Sequence, residues 1–277
     1  MRRAYVIILA FFTLSAACVF PALPVGQTAV PTTARETLTA TPEPTVTPAP
    51  TVPAAPSAAA SEVINEGMLF KTITLNEEMP DPRYTFSAQY PQIEGDDVFN
   101  SAMKQLATGE LAGFRKNAAD AWNWAKNNQP ETGSFYQLDY ETRLPTEQLI
   151  TVQFTFDVYS AGAAHPFQGF IALNYDRAQQ RFLDLPELFR PEAAYLERLS
   201  GLSKQALIRK NRLDFEEGAD PAPANFQDWL ITPDGLLLLF EPYQIGPYAA
   251  GPADILLPYS DLQDILDPEG PLGDFAR

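Results

Sequence analysis

The segment of residues 234–260 constrains the fold more than any other part of the chain, and its sequence is DGLLLLFEPYQIGPYAAGPADILLPYS. Five consecutive apolar residues, 236–240, follow an Asp-Gly turn signal and end shortly before Pro242, which favours a strand buried on both faces. A loop rich in Pro, Gly and Tyr follows, and a second apolar run lies at 255–257. We therefore expect two core strands joined by a stiff loop.

Two tyrosines, Tyr243 and Tyr248, lie in the loop between these apolar runs, and Pro242, Pro247 and Pro252 restrict its backbone. A loop held between two core strands presents its side chains at a low entropic cost, as a binding surface requires. Composition alone favours the simpler alternative, in which both rings only cover the floor of their own loop.

Acidic residues dominate the charge of this chain of 277 residues, which carries a formal net charge of −16. Nucleic acid and anionic membrane surfaces would repel the chain, so we exclude both as direct partners, whereas a cationic partner would be attracted. Solubility is the simpler explanation of the charge. With 45% hydrophobic and 12% aromatic residues, the chain has enough apolar side chains for a core.

A single cysteine, Cys18, and a single histidine, His165, limit the chemistry of the chain. No disulfide can form within the chain, and a zinc site built from Cys and His is excluded. A Ser-His-Asp triad based on His165 stays open, although no G-x-S-x-G motif accompanies it. The acidic segment 214–220 lacks the spacing of a calcium loop, so we expect no metal and no cofactor. We find no carboxylate pair in an apolar setting that would favour a glycosidase.

An export signal is predicted at residues 1–20, where Arg2 and Arg3 precede an uncharged apolar run. Residues 14–18, LSAAC, resemble a bacterial lipobox, which predicts lipidation at Cys18 and a protein that contacts the membrane only through that lipid. Cleavage without lipidation would give a secreted protein, and an uncleaved segment would give a membrane anchor. In each case the folded part faces the outside of the cell.

A Thr-, Pro- and Ala-rich region follows and contains seven prolines between residues 27 and 61. Such a composition cannot bury enough apolar surface to offset chain entropy, so we predict a disordered stalk over residues 21–62. Two folded domains are predicted after the stalk, at 63–166 and 167–266, followed by a tail at 267–277. When extended, the stalk would span on the order of 100 Å.

The pattern of apolar residues predicts an α+β fold made of two small units, each an antiparallel sheet with one main helix. Strict alternation at 83–93 predicts a half-buried strand, and helical spacing from Asp96 to Phe114 predicts a long helix with an acidic first turn. The helical spacing can continue to Trp122 and Trp124, and we expect the whole stripe to lie in the core. A second helix is predicted to begin at Pro191. Further strands are predicted at residues 68–76, 133–142, 149–160, 167–175, 181–185 and 226–231. The apolar runs at 236–240 and 255–257 complete the set of predicted strands.

Three short motifs resemble those of a known pair of bacterial domains. Residues 159–166, YSAGAAHP, are similar to the turn that follows the last strand of a domain shared by the deacetylase PdaC and the anti-sigma factor RsiV. Residues 242–252, PYQIGPYAAGP, and 257–262, LPYSDL, resemble the companion domain at the C-terminus of RsiV. The chain therefore resembles the RsiV/PdaC-type extracytoplasmic tandem, with a DUF4163-like domain at 63–166 and a DUF3298-like domain at 167–266.

The resemblance implies a role in binding, because RsiV-like tandems bind lysozyme, which is a strongly basic protein. Only three residues precede the apolar segment, so we expect no cytoplasmic domain for a sigma factor, and the catalytic domain of PdaC has no counterpart. We expect a non-catalytic, surface-anchored binding module of the bacterial envelope, whose partner is a lysozyme-like cationic protein or a cell-wall glycan. The alternative is a peptidoglycan-acting enzyme that uses His165 with nearby carboxylates.

Ligand contacts are predicted at two of the motifs, in a cleft between the histidine turn and the tyrosine loop. The predicted binding residues are Ser160, Gly162, His165 and Pro166 of the first motif and Tyr243, Pro247, Tyr248 and Gly251 of the second. The alternative for His165 is structural: its ring nitrogens would bond to backbone carbonyls and fasten the two domains together.

Overall fold

The computed structural model describes residues 62–65 and 68–273. Cys18, the predicted signal peptide and the predicted stalk up to residue 61 lie outside the described residues, as do the last four residues of the predicted tail. Within the described ranges, no helix is both long enough and apolar enough to cross a membrane.

Within the part of the chain that the structure describes, seven strands form the larger of two sheets, and they lie side by side in chain order. Neighbouring strands run antiparallel except the third and the fourth, which run parallel. A parallel pair needs a crossover connection, and helix α1, Asp97–Asn128, supplies it, so the sheet differs at this pair from the antiparallel sheet that we predicted. The strands are β1 Glu62–Asn65, β2 Met68–Pro80, β3 Arg83–Ile93, β4 Ser134–Pro145, β5 Leu149–Tyr159, β6 Phe167–Asp176 and β7 Arg181–Phe182.

Asp96 fixes the start of α1, as the acidic pair at its N-terminus predicted. Its side chain accepts hydrogen bonds from the backbone N–H of Phe99 at 3.1 Å and from the hydroxyl of Tyr175 on β6 at 2.9 Å. The helix packs its apolar stripe on one face of the large sheet. The buried residues of that stripe are Phe99, Met103, Ala107, Leu111, Phe114 and Ala118.

The smaller sheet contains three described strands, and helix α2, Tyr195–Arg209, packs against the same core. The outer strands are β8, Trp229–Thr232, and β10, Ala253–Leu257. The central strand β9, Gly235–Phe240, is buried at every position except Leu237, as its apolar run predicted. The helix begins at Tyr195 and not at Pro191, because residues 190–193 form a separate turn.

Buried polar side chains of the large sheet join it to the small sheet. The amide of Asn174 on β6 donates to the carbonyl of Trp229 and accepts from the N–H of Ile231, both at 2.8 Å. The hydroxyl of Thr151 on β5 donates to the carbonyl of Ile231 at 3.1 Å. The large sheet also continues through the boundary predicted between residues 166 and 167, because β6 pairs with β5 along the whole strand.

The predicted α+β fold is confirmed, with two sheets and two main helices in the described residues. The two sheets are unequal, with seven strands and three strands. The segment predicted as a tail packs against the fold as far as it is described. Its Leu272 is only 1% exposed, and the N–H of Asp267 donates to the carbonyl of Leu188 at 3.0 Å.

Candidate functional site

The turn between β5 and β6, residues 160–166, carries four predicted binding residues, and we name it the histidine turn. The backbone N–H of Ala161 donates to the hydroxyl of the buried Ser134 at 3.0 Å, which fixes the turn to the start of β4. Gly162 has a φ of +91°, and a Cβ at this position would overlap the ring of Trp124 on α1. Glycine is required here because it permits both the left-handed backbone and the close approach of the ring.

The loop of residues 242–252, which we name the tyrosine loop, follows β9. Its first part is held by the side-chain amide of Gln244, which donates to the carbonyls of Gly218 and Asn225, both at 3.0 Å. Tyr243 has a φ of +72°, and its side chain is 54% exposed. A bulky residue seldom adopts this backbone conformation, which makes Tyr243 a candidate functional residue.

The structure brings the histidine turn and the tyrosine loop into contact. The ring of His165 stacks on the ring of Tyr248, with centroids 3.8 Å apart and an angle of 24° between the planes. The Tyr248 hydroxyl donates to the carbonyl of Pro166 at 2.6 Å. The ring of Tyr243 lies 5.6 Å from that of Tyr248. We name His165, Tyr243 and Tyr248 the aromatic cluster.

Each ring nitrogen of His165 has one polar neighbour. Nδ1 lies 2.8 Å from the carbonyl oxygen of Pro166, which can only accept, so Nδ1 carries the proton in the neutral ring. Nε2 then faces the hydroxyl of Tyr243 at 3.5 Å. The structural alternative for His165 is met in part, because one nitrogen does bond to a carbonyl. That carbonyl belongs to the adjacent residue, and the link between the two loops is made by Tyr248.

The remaining predicted residues order the backbone around the aromatic cluster. The carbonyl of Ser160 accepts the N–H of Ala163 at 2.9 Å. Pro247 precedes a short 3-10 turn, and Gly251, with a φ of +69°, ends it by donating its N–H to the carbonyl of Tyr248 at 2.8 Å. These residues fix the position from which the Tyr248 ring reaches His165.

Trp124 lies beside the histidine turn, although its helical spacing placed it in the predicted core stripe. It is 50% exposed, and its ring is the group that excludes a side chain at position 162. The last two turns of α1 are mostly exposed, so the apolar stripe does not continue to Trp124. The exposed tryptophan therefore adds apolar surface beside Gly162 in the histidine turn.

Two acidic residues, Asp228 and Glu241, lie where the small sheet meets β6. Glu241 Oε1 accepts the N–H of Phe170 at 3.3 Å, and Asp228 accepts the N–H of Ala172. Burial, with a second contribution from the charge of Glu241, raises the pKa of Asp228 to about 7. Burial also raises the pKa of Glu241.

This pair corrects the expectation that no carboxylate pair has an apolar setting. The available signal was positional, because Asp228 directly precedes the apolar strand β8 and Glu241 directly follows β9. Both carboxyl groups accept N–H groups from the outer edge of β6, so they satisfy a strand edge that would otherwise lack partners. The pair therefore holds the base of the tyrosine loop against the large sheet.

The aromatic cluster is suited to stacking and hydrogen bonding. The polar neighbours of His165 are a carbonyl and a phenol, and no described carboxylate is hydrogen-bonded to its ring. Within the described part of the chain, no group of three or more His, Cys, Asp or Glu side chains is placed to hold a metal ion.

The family described as "Protein of unknown function (DUF3298)" matches residues 186–260 of the sequence. The chain carries a DUF3298 domain. This DUF3298 domain includes α2, the small sheet and both tyrosines of the aromatic cluster, whereas His165 lies in the sheet that precedes it. The aromatic cluster is therefore formed by the DUF3298 domain together with the large sheet.

The sequence matches to two relatives extend beyond the DUF3298 domain. The chain is 28% identical over 189 residues to the peptidoglycan-N-acetylmuramic acid deacetylase PdaC of Bacillus subtilis, a match that covers 66% of the chain and 39% of PdaC. It is 22% identical over 197 residues to the immunogenic protein MPT64 of Mycobacterium tuberculosis, which covers 68% of the chain and 81% of MPT64. The chain thus spans about two fifths of the length of PdaC.

Solved structures of DUF3298 proteins share the fold. A DUF3298 family member from Bacteroides fragilis superposes with a TM-score of 0.56 at 20% identity, covering 78% of this chain and 98% of that one. A DUF3298 family protein from Pseudomonas aeruginosa gives a TM-score of 0.54 at 17% identity, covering 72% and 95%. Because each neighbour is almost fully covered, the large sheet and the DUF3298 domain recur together in this fold.

Proposed function

We propose that the protein is a non-catalytic binding module of the bacterial envelope, which holds a cell-wall glycan at the aromatic cluster. The observation that carries the proposal is the contact of His165 with Tyr248, beside a Tyr243 ring that is 54% exposed on a left-handed backbone. Backbone strain at an exposed ring is retained only where the surrounding structure holds it, and such sites are often ligand sites.

A glycan suits the chemistry of this surface. Sugar rings have apolar faces of C–H groups that pack on aromatic rings, and hydroxyl groups at their edges that bond to phenols, imidazoles and carbonyls. The aromatic cluster offers the Tyr243 hydroxyl and the His165 imidazole for such bonds and the Tyr248 ring for stacking, since the Tyr248 hydroxyl already donates to Pro166. Rings that are held by neighbouring contacts lose little conformational entropy on binding, which improves the affinity of a shallow site.

The relatives favour a cell-wall ligand. PdaC is named for its action on peptidoglycan, and its match with this chain extends over 189 residues, far beyond the DUF3298 segment. We therefore propose that residues 63–166 are the PdaC/RsiV-shared, DUF4163-like domain. Together with the DUF3298 domain, they would form an RsiV-type tandem. The apolar N-terminal segment would direct export, and Cys18 would carry the lipid that retains the module at the membrane.

A basic envelope protein is the second candidate partner, and the net charge of −16 favours it. Electrostatic attraction would speed association with a lysozyme-like protein and would weaken as salt is added. A lysozyme titration at low and high ionic strength separates this partner from a neutral glycan, because binding of the neutral glycan should change little with salt.

The central experiment is a titration of the mature protein with N-acetylglucosamine hexamer and with purified muropeptides. We expect saturable binding that Tyr243→Ala and Tyr248→Ala weaken roughly two- to tenfold, since a stacked aromatic contributes on the order of 0.5–1.5 kcal/mol. Tyr195→Ala is the matched control, because Tyr195 also forms a stacked pair, with Phe189 at 4.9 Å, on α2.

Equal losses in all three variants, or no binding by the unaltered protein, would contradict glycan binding at the aromatic cluster. Chromatography of the muropeptides after incubation tests the enzymatic alternative. Turnover that disappears in His165→Ala would replace the binding module with a peptidoglycan-acting enzyme.

A further inference from the structure

The large sheet has a second face, opposite α1, and the described residues cover that face only at one end. At that end β8 bonds to Thr151 and Asn174. Towards the histidine turn the same face carries side chains that are half-buried or exposed. Those side chains are Phe135, Gln137 and Asp139 of β4, Thr155, Asp157 and Tyr159 of β5, and Gln168 and Phe170 of β6. We name this set the open face.

Strand register arranges the open face in rows across three strands. The row nearest the histidine turn is aromatic, with the rings of Phe135 and Tyr159 stacked at a centroid distance of 5.8 Å. The next row is polar and places Asp157 between Gln137 and Gln168. Cross-strand neighbours on one face lie close enough to act on the same ligand. The open face thus joins an aromatic row to a hydrogen-bonding row.

Two carboxylates of the open face are oriented by amides. The amide of Gln168 donates to both oxygens of Asp157, at 3.3 and 3.4 Å. The amide of Gln137 donates to Asp139 Oδ2 at 2.7 Å. Neither carboxylate forms a salt bridge with any cation of the described residues. Asp139 and Asp157 lie on a diagonal between neighbouring strands, which sets them roughly 7–8 Å apart.

The open face adjoins the aromatic cluster through β6. Pro166, which accepts the Tyr248 hydroxyl, is followed by Gln168 of the polar row. Phe170, two residues further, lies on the open face and donates its N–H to Glu241 at the base of the tyrosine loop. A polymer bound at the aromatic cluster would therefore continue over Gln168 and Asp157.

We propose that the open face binds the amine-bearing units of a glycan, with Asp157 and Asp139 pairing with protonated amino groups. This inference rests on the proposed glycan-binding function and names the class of glycan, one with free amino groups in place of N-acetyl groups. Charge complementarity carries it, because two oriented carboxylates without a cationic partner lie beside an aromatic row. The amides and Thr155 supply donors and acceptors for sugar hydroxyls.

The test is a calorimetric titration of the mature protein with glucosamine hexamer and with N-acetylglucosamine hexamer, both at the same pH of about 6. We expect tighter binding of the amine-bearing oligomer. Asp157→Asn should weaken that binding roughly tenfold, because a charge-assisted hydrogen bond is lost, and should leave the N-acetylated oligomer within about twofold. Asp139→Asn should act in the same direction.

Asp120→Asn is the matched control, since Asp120 is exposed on α1, on the opposite side of the sheet. It should change neither affinity. If Tyr248→Ala abolishes binding of the N-acetylated oligomer while Asp157→Asn changes neither affinity, the open face is overturned and glycan binding at the aromatic cluster stands. If neither oligomer binds, both proposals fail together. If Asp157→Asn weakens only lysozyme binding, the open face binds a basic protein, and the proposal that it binds an amine-bearing glycan is wrong.

Discussion

Tyr248 stacks on His165 with ring centroids 3.8 Å apart, and its hydroxyl reaches past the imidazole to the carbonyl of Pro166 at 2.6 Å. One tyrosine of the DUF3298 domain therefore holds the turn between two strands of the other sheet by an apolar and a polar contact. The two contacts can be separated experimentally, because a phenylalanine retains the ring and removes the hydroxyl.

Tyr248→Phe should lower the free energy of unfolding by about 1 kcal/mol, since one hydrogen bond is lost and the Pro166 carbonyl stays accessible to water. Glycan affinity should stay within about twofold, because the stacked ring remains. Urea unfolding and the glycan titration measure the two effects. A variant as stable as the parent that no longer binds glycan would show that the hydroxyl, and not the ring, contacts the ligand.

Tyr243→Gly should give a protein that is more stable than Tyr243→Ala by about 1 kcal/mol, because the φ of +72° is unfavourable for alanine and acceptable for glycine. Both variants lack the ring and should lose glycan affinity equally. Thermal unfolding monitored by circular dichroism compares them. Equal stability would mean that the backbone at this position relaxes out of the left-handed region when the ring is removed.

The stability of the protein should fall as the pH rises through neutrality. Asp228 has a folded-state pKa of about 7 against an ordinary value of 3.8, so the folded state binds a proton more tightly than the unfolded state. The resulting stabilisation is fully present when the pH is below 3.8, the ordinary pKa of the carboxyl group. It is lost as the pH rises through about 7, the pKa in the folded state. Between about pH 5 and pH 8 we expect a decrease on the order of 2 kcal/mol.

Asp228→Asn provides the control, because the amide keeps the size of the carboxyl group and does not titrate. Its unfolding free energy should vary much less over the same pH range. The raised pKa of Glu241 contributes in the same direction, so part of the pH dependence of the unfolding free energy should remain in Asp228→Asn. A pH profile that Asp228→Asn leaves unchanged would assign the dependence to other groups.

Gly218→Ala should destabilise the protein by at least about 2 kcal/mol and reduce glycan binding. A Cβ at this position would clash with the backbone carbonyl of Gln244, the residue that holds the tyrosine loop. Gly201→Ala is the matched control: it lies within α2 with no atom within 4 Å of a new Cβ, so it should raise stability by up to about 1 kcal/mol. Equal effects of the two substitutions would contradict the packing described.

Asp96→Ala should lower the free energy of unfolding by about 2–3 kcal/mol. The buried carboxylate caps α1 and also accepts the hydroxyl of Tyr175, which would be left without a partner. Asp97→Ala, one position further and exposed, removes only a favourable charge at the helix N-terminus and should cost less than about 1 kcal/mol. Chemical denaturation of both variants measures the difference.

Local patterns predicted much of the fold. Alternation at 83–93 gave β3 with both of its ends, and the apolar run after Asp234 gave the buried central strand β9. The parallel pairing of β3 with β4 could not be predicted, because neither strand's sequence indicates that the chain crosses over through α1 between them. The continuation of the large sheet through β6 was also missed, since pairing with β5 depends on register between separate strands.

The candidate site shows the same division. The sequence supplied His165, Tyr243 and Tyr248 and placed them in two stiff loops, because Pro and Gly mark such loops locally. It did not supply Asp228 and Glu241, whose pKa values are raised by burial in the folded protein. It also placed Trp124 in the core, whereas the position of α1 leaves that ring half exposed.

The sequence by itself determined the elements, the loops and the identity of the aromatic side chains, because these follow from residue preferences over a few neighbouring positions. Only the tertiary structure decided which loops are in contact, which carboxylates are buried and which face of the large sheet stays exposed. Those properties depend on contacts between segments that are distant along the chain, where burial and register act together and no local pattern records them.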